Sequence, residues 1–228
     1  MKNVIRPLCL LLLALAMGCQ STTDFHVKDL VKSDIDQVSD IHMNQAVDLL
    51  KDLTRKLYRR NPGELAKAPG HTIDSRIQEI FRCPGDRIHE ELESKTGTEA
   101  ILLAFEPDFP RDRVFAVMYG LHTMIRASYN DRCELFMLDY LDSQNLYNSA
   151  RNIEILVWRL KTRTDAHGVP LLLTNSTNGN VENLSFERLF GKLIAVQDTL
   201  AVIIGQRTGR FFREVIQTAG MAFLPIGI

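Results

Sequence analysis

Apolar residues recur at helical spacing through most of this chain, and the pattern predicts a bundle of helices. The longest helix is expected over residues 34–60, with Ser33 as N-cap and Asp36 completing a capping box. The Asn-Pro-Gly sequence at 61–63 is expected to end it. The apolar positions of this helix are Ile35, Val38, Ile41, Ala46, Leu49, Leu50, Leu53 and Leu57.

Shorter amphipathic stretches follow, and together they predict an all-α fold. We expect a single helical-bundle domain of about seven to nine helices. Thr72 is expected to precede one helix, the pair Thr96 and Glu99 to cap the next, Pro110 to open a third and Ser185 to cap a fourth. The predicted helical ranges are 73–81, 100–105, 110–125, 135–141, 146–160, 186–204 and 211–223.

Residues 168–174 depart from this pattern, because they are short, apolar and interrupted by Pro170. Asn178-Gly179 follows, and Asn-Gly is a strong signal for a tight hairpin turn. Two interpretations stay open here, one small β-hairpin or a structured loop.

The first residues of the chain have the organisation of an export signal. Lys2 and Arg6 supply a basic region, and residues 8–17 form an apolar run too short to span a bilayer. Leu15-Ala16-Met17-Gly18-Cys19 closes this run and resembles the lipobox of bacterial lipoproteins, although Ala16 and Met17 differ from its commonest residues.

The lipobox resemblance implies where the mature protein begins and where it resides. Cys19 would become the first residue and carry the acyl chains, so that residues 1–18 are signal peptide, 19–33 lipidated cysteine and tether, and 34–228 the helical domain. In enteric lipoproteins an Asp after this cysteine retains the protein in the inner membrane. Gln20 takes that place here, which implies anchoring at the periplasmic face of the outer membrane.

Charge excludes one class of partner. The chain has 27 lysines and arginines against 28 acidic residues, a net charge of −1, and every acidic residue follows Cys19. Loss of Lys2 and Arg6 with the signal leaves 25 basic residues and a net charge of −3. That balance is unlike the basic surface of a nucleic-acid-binding protein, so we expect no nucleic-acid partner.

The cysteines predict a covalent link within the domain. Of the four cysteines, Cys9 leaves with the signal and Cys19 is acylated. Cys83 and Cys133 remain, and in an oxidising periplasm such a pair is expected to form a disulfide.

No familiar catalytic or cofactor motif occurs in the sequence. It lacks the dinucleotide-binding, P-loop, nucleophile-elbow, zinc-protease and Cys-x-x-Cys patterns. His89-Glu90-Glu91 suggests a metal ligand pair, but Glu93 stands where a second histidine would be needed. We therefore interpret this segment as a solvated helix face and expect no metal and no cofactor.

Polar residues inside the apolar central helices are the most informative candidates for a site. Buried polar groups are costly unless they pair, so they are expected to form a structural network or to line a ligand pocket in which His122 titrates. Arg151 and Glu154 should meet on one helix face, with Asp139 or Arg126 as further partners, while Asn152 serves other neighbours. The candidates are Tyr119, His122, Arg126, Asp139, Asn148, Arg151, Asn152 and Glu154.

Several segments are similar to an uncharacterised family of proteobacterial lipoproteins. They are Leu57-Tyr58-Arg59-Arg60-Asn61-Pro62, Ala150-Arg151-Asn152-Ile153-Glu154, Phe190-Gly191-Lys192-Leu193-Ile194 and Phe223-Leu224-Pro225-Ile226. The resemblance implies a location but no activity.

Three classes of function follow from these expectations. The first is a non-catalytic interaction or scaffold protein of the bacterial envelope, held to the membrane by its lipid and bound to an envelope protein. A binder of lipid or another apolar ligand is the alternative, and a cell-wall enzyme is the third. We expect the first class.

Overall fold

Seven α-helices and one 3₁₀ turn make up the described part of the chain, in which there is no β-strand. The computed structural model describes residues 33–83, 88–136, 140–175, 183–210 and 222–226. The predicted all-α class is thereby confirmed. The helices are α1 (Asp34–Arg60), α2 (Pro62–Ala66), α3 (Ile73–Ile80), α4 (Gly97–Leu103), α5 (Arg113–Ser128), α6 (Ser143–Thr162) and α7 (Ser185–Thr208), with the 3₁₀ turn Glu90–Leu92 between α3 and α4.

Helix α1 begins and ends where its sequence predicts. The Asp36 carboxylate accepts hydrogen bonds from the Ser33 N–H at 2.8 Å and from the Ser33 hydroxyl at 2.6 Å. Asn61 ends the helix, and Pro62 starts the short α2, which the sequence pattern does not predict. Ile41 was wrongly placed on the apolar face, because it is 63% exposed while Met43 is buried.

Four long helices enclose the core. Helix α1 contacts α5 and α7, and α6 contacts the same two helices, so that the four form a closed ring. Helix α3 packs against α1 and α5, and α4 lies along α5. The α4–α5 contact requires glycine at position 120, because a Cβ there would lie 2.6 Å from the carbonyl oxygen of Gly97.

Helix α7 is a core helix, although its composition also suits a membrane span. It is the one described helix long and apolar enough to cross a bilayer, and half of its apolar window is buried. Its contacts with α1 and α6 account for that burial. The residues that it buries include Phe186, Leu189, Phe190, Leu193, Val196, Leu200, Ala201 and Ile204.

The predicted disulfide is present. Cys83, just after α3, is bonded to Cys133, in the loop after α5, with their Cα atoms 5.8 Å apart. The bond closes a loop of 50 residues, which on the chain-entropy account stabilises the fold by about 4 kcal/mol. It ties two peripheral connections together on one side of the bundle.

Three predicted helix caps or starts were wrong. Ser185, expected as an N-cap, is the first residue of α7 and follows the N-cap Leu184. Helix α5 begins at Arg113 rather than at Pro110, because Asp112 is the N-cap and its carboxylate accepts the Phe115 N–H at 2.9 Å. Thr96 precedes α4 but its side chain makes no cap bond. The N–H of Gly97 instead donates to the hydroxyl of Thr123 on α5.

The predicted 135–141 helix was also wrong for the residues described there. Residues 135, 136, 140 and 141 are not helical. The N–H of Leu135 donates to the Asp40 carboxylate of α1 at 2.9 Å and ties this segment to α1. Residues 137–139 and 211–221, which include Asp139 and most of the last predicted helix, lie outside the described residues. Ala222 and Phe223 are described and are not helical.

The stretch around residues 164–175 contains a structured loop. Thr164 and Pro170 form a single antiparallel bridge. The Asp165 carboxylate accepts the N–H groups of His167 and Val169 and holds the turn between them. The Asn178-Gly179 turn of the predicted hairpin lies outside the described residues.

Candidate functional site

Residues 222–226 are held against α6 by side-chain amides. We call this stretch the docked segment. The Asn152 side chain donates to the carbonyl oxygen of Leu224 at 2.9 Å and accepts the N–H of Leu224 at 2.7 Å. Asn148 donates to the carbonyl oxygen of Pro225 at 2.9 Å. These three bonds recognise main-chain atoms, which every polypeptide offers.

Helix α6 buries the two asparagines that hold the docked segment. Asn152 is 0% exposed and Asn148 is 7% exposed, so neither amide could leave its bonds unmade without cost. Gln144, one turn earlier, donates to the Asn148 side-chain oxygen at 2.8 Å and orients its amide. Two turns beyond Asn152, the Arg159 guanidinium lies 5.2 Å from the ring centre of Phe223. The result is a row of contacts along one face of α6.

On its other side the docked segment borders an open groove of about 760 Å³. The opposite walls come from the start of α4 and from α5. Arg126 is the cationic side chain of the groove, and it lies 3.9 Å from the carboxylate of Asp131. The lining residues are Ile88, Thr96, Gly97, Thr98, Glu99, Tyr119, Thr123, Met124, Arg126, Ala127, Asp131 and residues 223–226.

His122 lies beneath this groove, in a small polar chamber of about 10 Å³ that Tyr119 and Arg126 also line. Burial, reinforced by the positive charge of Arg126, lowers the pKa of His122 to about 4. Its ring bonds the main chain of Ile80 and packs edge-on against Phe81 at 4.9 Å between ring centres. His122 is therefore a neutral core histidine near pH 7, which removes it as a titrating group of a ligand site.

Arg151 and Glu154 do meet on one face of α6, at 3.1 Å, as predicted. Among the described residues, Asp198 of α7 supplies a further opposite charge at 2.7 Å from Arg151. Asp139 lies outside the described residues, and Arg126 pairs with Asp131 instead. Burial raises the pKa of both Glu154 and Asp198, and attraction to Arg151 partly offsets the rise. These groups join α6 to α7, away from the docked segment.

A second polar cluster, which the sequence analysis missed, surrounds Arg76 on α3. We call it the Arg76 cluster. The side chain of Arg76 is 2% exposed and makes a bidentate pair with Glu91 at 2.7 and 2.9 Å. It also bonds Glu79 at 3.1 Å and lies 3.6 Å from Asp112. The guanidinium stacks over the Phe115 ring of α5 at 4.1 Å.

Two further groups complete the Arg76 cluster. The Tyr58 hydroxyl of α1 donates to the Asp112 carboxylate at 2.8 Å. Burial raises the pKa of Asp112 to about 6, although hydrogen bonds from Phe115 and Tyr58 and the charge of Arg76 counteract it. Burial and the neighbouring Asp112 carboxylate raise the pKa of Tyr58. The cluster thus joins α1, α3, the 3₁₀ turn and the start of α5.

The sequence-based interpretation of His89-Glu90-Glu91 as a solvated helix face was wrong. His89 is buried between the rings of Phe115 and Tyr119, at 5.0 and 4.6 Å, because the chain makes a 3₁₀ turn here rather than a helix. Glu79, His89 and Glu91 each place a possible metal ligand within 4.8 Å of the others. The Arg76 guanidinium, however, already neutralises both carboxylates, in the position that a cation would take.

One pattern could have revealed the Arg76 cluster. Ile73, Arg76, Ile77 and Ile80 follow the spacing of the buried face of α3, so a charge stands inside an apolar stripe. Such a charge must find a partner in the interior. Only the tertiary packing identifies Glu91 and Asp112 as the partners of Arg76.

Comparisons of this chain with protein-family models, with curated protein sequences and with solved structures find no match.

Proposed function

We propose that this protein is a lipid-anchored component of a bacterial cell envelope, and that its helical domain serves as a non-catalytic interaction or scaffold module. The observation that carries the anchor is the Leu-Ala-Met-Gly-Cys segment behind a short apolar run. Cys19 itself lies outside the described residues. An acylated Cys19 followed by Gln20 would hold the domain at the periplasmic face of the outer membrane, since two or more acyl chains suffice for stable anchoring.

Two features of the domain support this location. A disulfide between Cys83 and Cys133 suits an oxidising compartment such as the periplasm and is rare in cytosolic proteins. Helix α7, which by composition could span a bilayer, is used in the core, where it packs on α1 and α6. A lipid on Cys19 therefore accounts for membrane attachment without α7.

The internal packing supports an interaction role over an apolar-ligand carrier. Long side chains fill the space between the four core helices, and Leu50, Leu53, Phe115 and Met118 are fully buried. The 760 Å³ groove is open and combines charged and apolar side chains. A carrier for lipid needs an enclosed apolar cavity instead.

A second candidate function rests on two carboxylates, Glu99 and Asp131, which line the same groove. A polar cleft with a carboxylate pair is what a cell-wall hydrolase requires. Complementation of a deletion strain separates the two functions. An interaction protein should keep most of its function with Glu99→Gln or Asp131→Asn, because few side chains of a broad contact surface carry much of the binding energy. An enzyme should lose its function with either substitution.

Metabolic labelling tests the anchor directly. Cells fed radiolabelled palmitate should label the wild-type protein and should not label the Cys19→Ala variant. The double substitution Cys83→Ser and Cys133→Ser is the matched control, and it should keep the label. Equal labelling of wild type and Cys19→Ala would refute the anchor.

Site-specific crosslinking tests the interaction role. A photoreactive residue at Ala127, which lines the groove, should give one discrete crosslinked product in intact membranes. The same residue at Val202, which is 43% exposed on α7, is the control and should not give that product. Identical products from both positions, or none from either, would contradict a specific partner at the groove.

A further inference from the structure

The docked segment is bound in the way that a foreign peptide would be bound. Its polar contacts with α6 are three hydrogen bonds, all made by asparagine side chains to main-chain atoms of Leu224 and Pro225. Asn152 bonds both the N–H and the carbonyl oxygen of Leu224. A neighbouring β-strand would bond the same two main-chain groups. Nothing in these bonds depends on the identity of the side chain at position 224.

The side chains of the docked segment add a modest selectivity. Phe223 lies against the Arg159 guanidinium, an attraction between a cation and an aromatic ring. Phe223 and Ile226 pack on the core while Ala222 and Pro225 are exposed. Pro225 offers a carbonyl but no N–H, so it leaves no main-chain donor unpaired at its position.

With the docked segment in place, the two amides that bind it are buried, and one of them is oriented by its own helix. Asn152 is fully buried, Asn148 is oriented by Gln144, and both stand on the long helix α6. A buried amide whose donor and acceptor both point at a passing main chain is costly without that chain, because each unmade bond in the interior is unfavourable. The open groove beside the docked segment leaves room for a longer polypeptide to follow the same path.

We propose that the surface formed by Asn148, Asn152 and Arg159 on α6 is a binding site for an extended polypeptide, with the docked segment as its resident ligand. The partner is a protein segment of the same chemistry, an aromatic residue followed by an aliphatic residue and proline, and it binds by displacing residues 222–226. The inference deepens the proposed interaction role by naming the surface and the partner class. It does not require the lipid anchor.

Peptide binding to detergent-purified, full-length protein tests the site. The probe is the fluorescein-labelled pentapeptide Ala-Phe-Leu-Pro-Ile amide, which reproduces residues 222–226, and the readout is fluorescence anisotropy. In the wild type the intramolecular segment competes with the probe. Leu224→Pro removes the N–H that bonds Asn152 and should free the surface, so the probe should bind at least about 10-fold more tightly than to the wild type.

Two controls separate this site from non-specific binding. Adding Asn152→Ala to Leu224→Pro should return the affinity to the wild-type level or below. A probe methylated on its leucine nitrogen lacks the donor to Asn152 and should bind at least about 10-fold more weakly than the plain probe. This second control changes only the peptide, so the folding of the protein does not enter.

A second variant of the docked segment is available in case Leu224→Pro does not fold. Phe223→Ala weakens the docked segment without altering its main chain, and it replaces Leu224→Pro if circular dichroism shows that the proline variant is unfolded. Failure of both variants to bind the probe more tightly than the wild type would overturn the proposal, as would equal binding of methylated and plain probes. Palmitate labelling is unaffected by either result, so failure here leaves the anchor standing.

Discussion

The Arg76 cluster and the docked-segment site are two polar sites of the same helical domain, and they differ in what satisfies their buried polar groups. In the Arg76 cluster, charges from α3, α5 and the 3₁₀ turn meet one another, and Arg76 alone contacts three carboxylates. At the docked-segment site, two neutral amides of α6 bond the main chain of the docked segment. The polar groups of the first site are satisfied by side chains of the packed helices, and those of the second by main-chain atoms of Leu224 and Pro225.

This difference separates a structural role from a binding role. A buried guanidinium with carboxylates on several sides is strongly destabilised by the loss of any partner, so such a cluster holds elements together. Neutral amides that bond main-chain atoms can exchange one polypeptide for another at little cost, because the new chain offers the same atoms. Burial and polarity alone would not have distinguished the two sites.

The largest expected effect is at the Arg76 cluster. Arg76→Met keeps the apolar length of the side chain but leaves Glu79, Glu91 and Asp112 without their cation. We expect it to lower the free energy of unfolding by about 3–5 kcal/mol in urea denaturation. Arg55→Met is the matched control, because Arg55 is 41% exposed and pairs only at 3.7 Å or more. It should cost less than about 1 kcal/mol, and an equal loss in both variants would show that the cluster has no special structural role.

The second prediction concerns His122, which lies in the small chamber that Tyr119 and Arg126 also line. Because its pKa is about 4 in the folded protein and about 6.5 when unfolded, the unfolded state binds more protons between these values. Stability should therefore fall as the pH is lowered from about 6.5 to 4, by about 3 kcal/mol in total. His122→Gln keeps a donor near the Ile80 carbonyl and does not titrate, so this part of the pH dependence should disappear.

The comparison must be made between the variant and the wild type, because Asp112 acts in the opposite direction. Its folded pKa of about 6 is above the unfolded value, so its contribution is present below about pH 4 and is lost as the pH rises to about 6. The difference in unfolding free energy between His122→Gln and the wild type, measured from pH 4 to 7, removes this common term. A difference that does not vary with pH would show that His122 is not a buried neutral base.

The smallest effect is expected at Arg151, which belongs to neither site. A fully interior Arg151 would be expected to resemble Arg76 in its cost, but its partners Glu154 and Asp198 are 40% and 37% exposed. Solvent screens these pairs, so Arg151→Ala should cost only about 1 kcal/mol. Lys161→Ala removes a comparable α6–α7 pair with Glu187 and should cost no more. Thermal melting of both variants checks this, and a loss at Arg151 as large as that of Arg76→Met would erase the distinction between the closed cluster and its neighbours.

The positions that were predicted correctly share one property, namely that their cause is local. Ser33 and Asp36 cap α1 across three residues, and the buried stripe of α5 at Val114, Met118 and Leu121 follows helical periodicity. One failure involves a distant residue. The described residues of the predicted 135–141 helix are not helical, and the N–H of Leu135 bonds Asp40, 95 residues away in the chain.

The sequence by itself determined the all-α class, most helix ranges and the pairing of Cys83 with Cys133, since each depends on periodicity, caps or a simple count of residues. It also determined that Asn152 and Arg151, adjacent in α6, would serve different neighbours, because successive helical residues point about 100° apart. Only the tertiary structure decided which neighbours those are. Leu224 is 72 residues from Asn152, and Glu91 is 15 residues from Arg76. Such pairings depend on how the helices pack around the shared core, and local sequence patterns do not predict that packing.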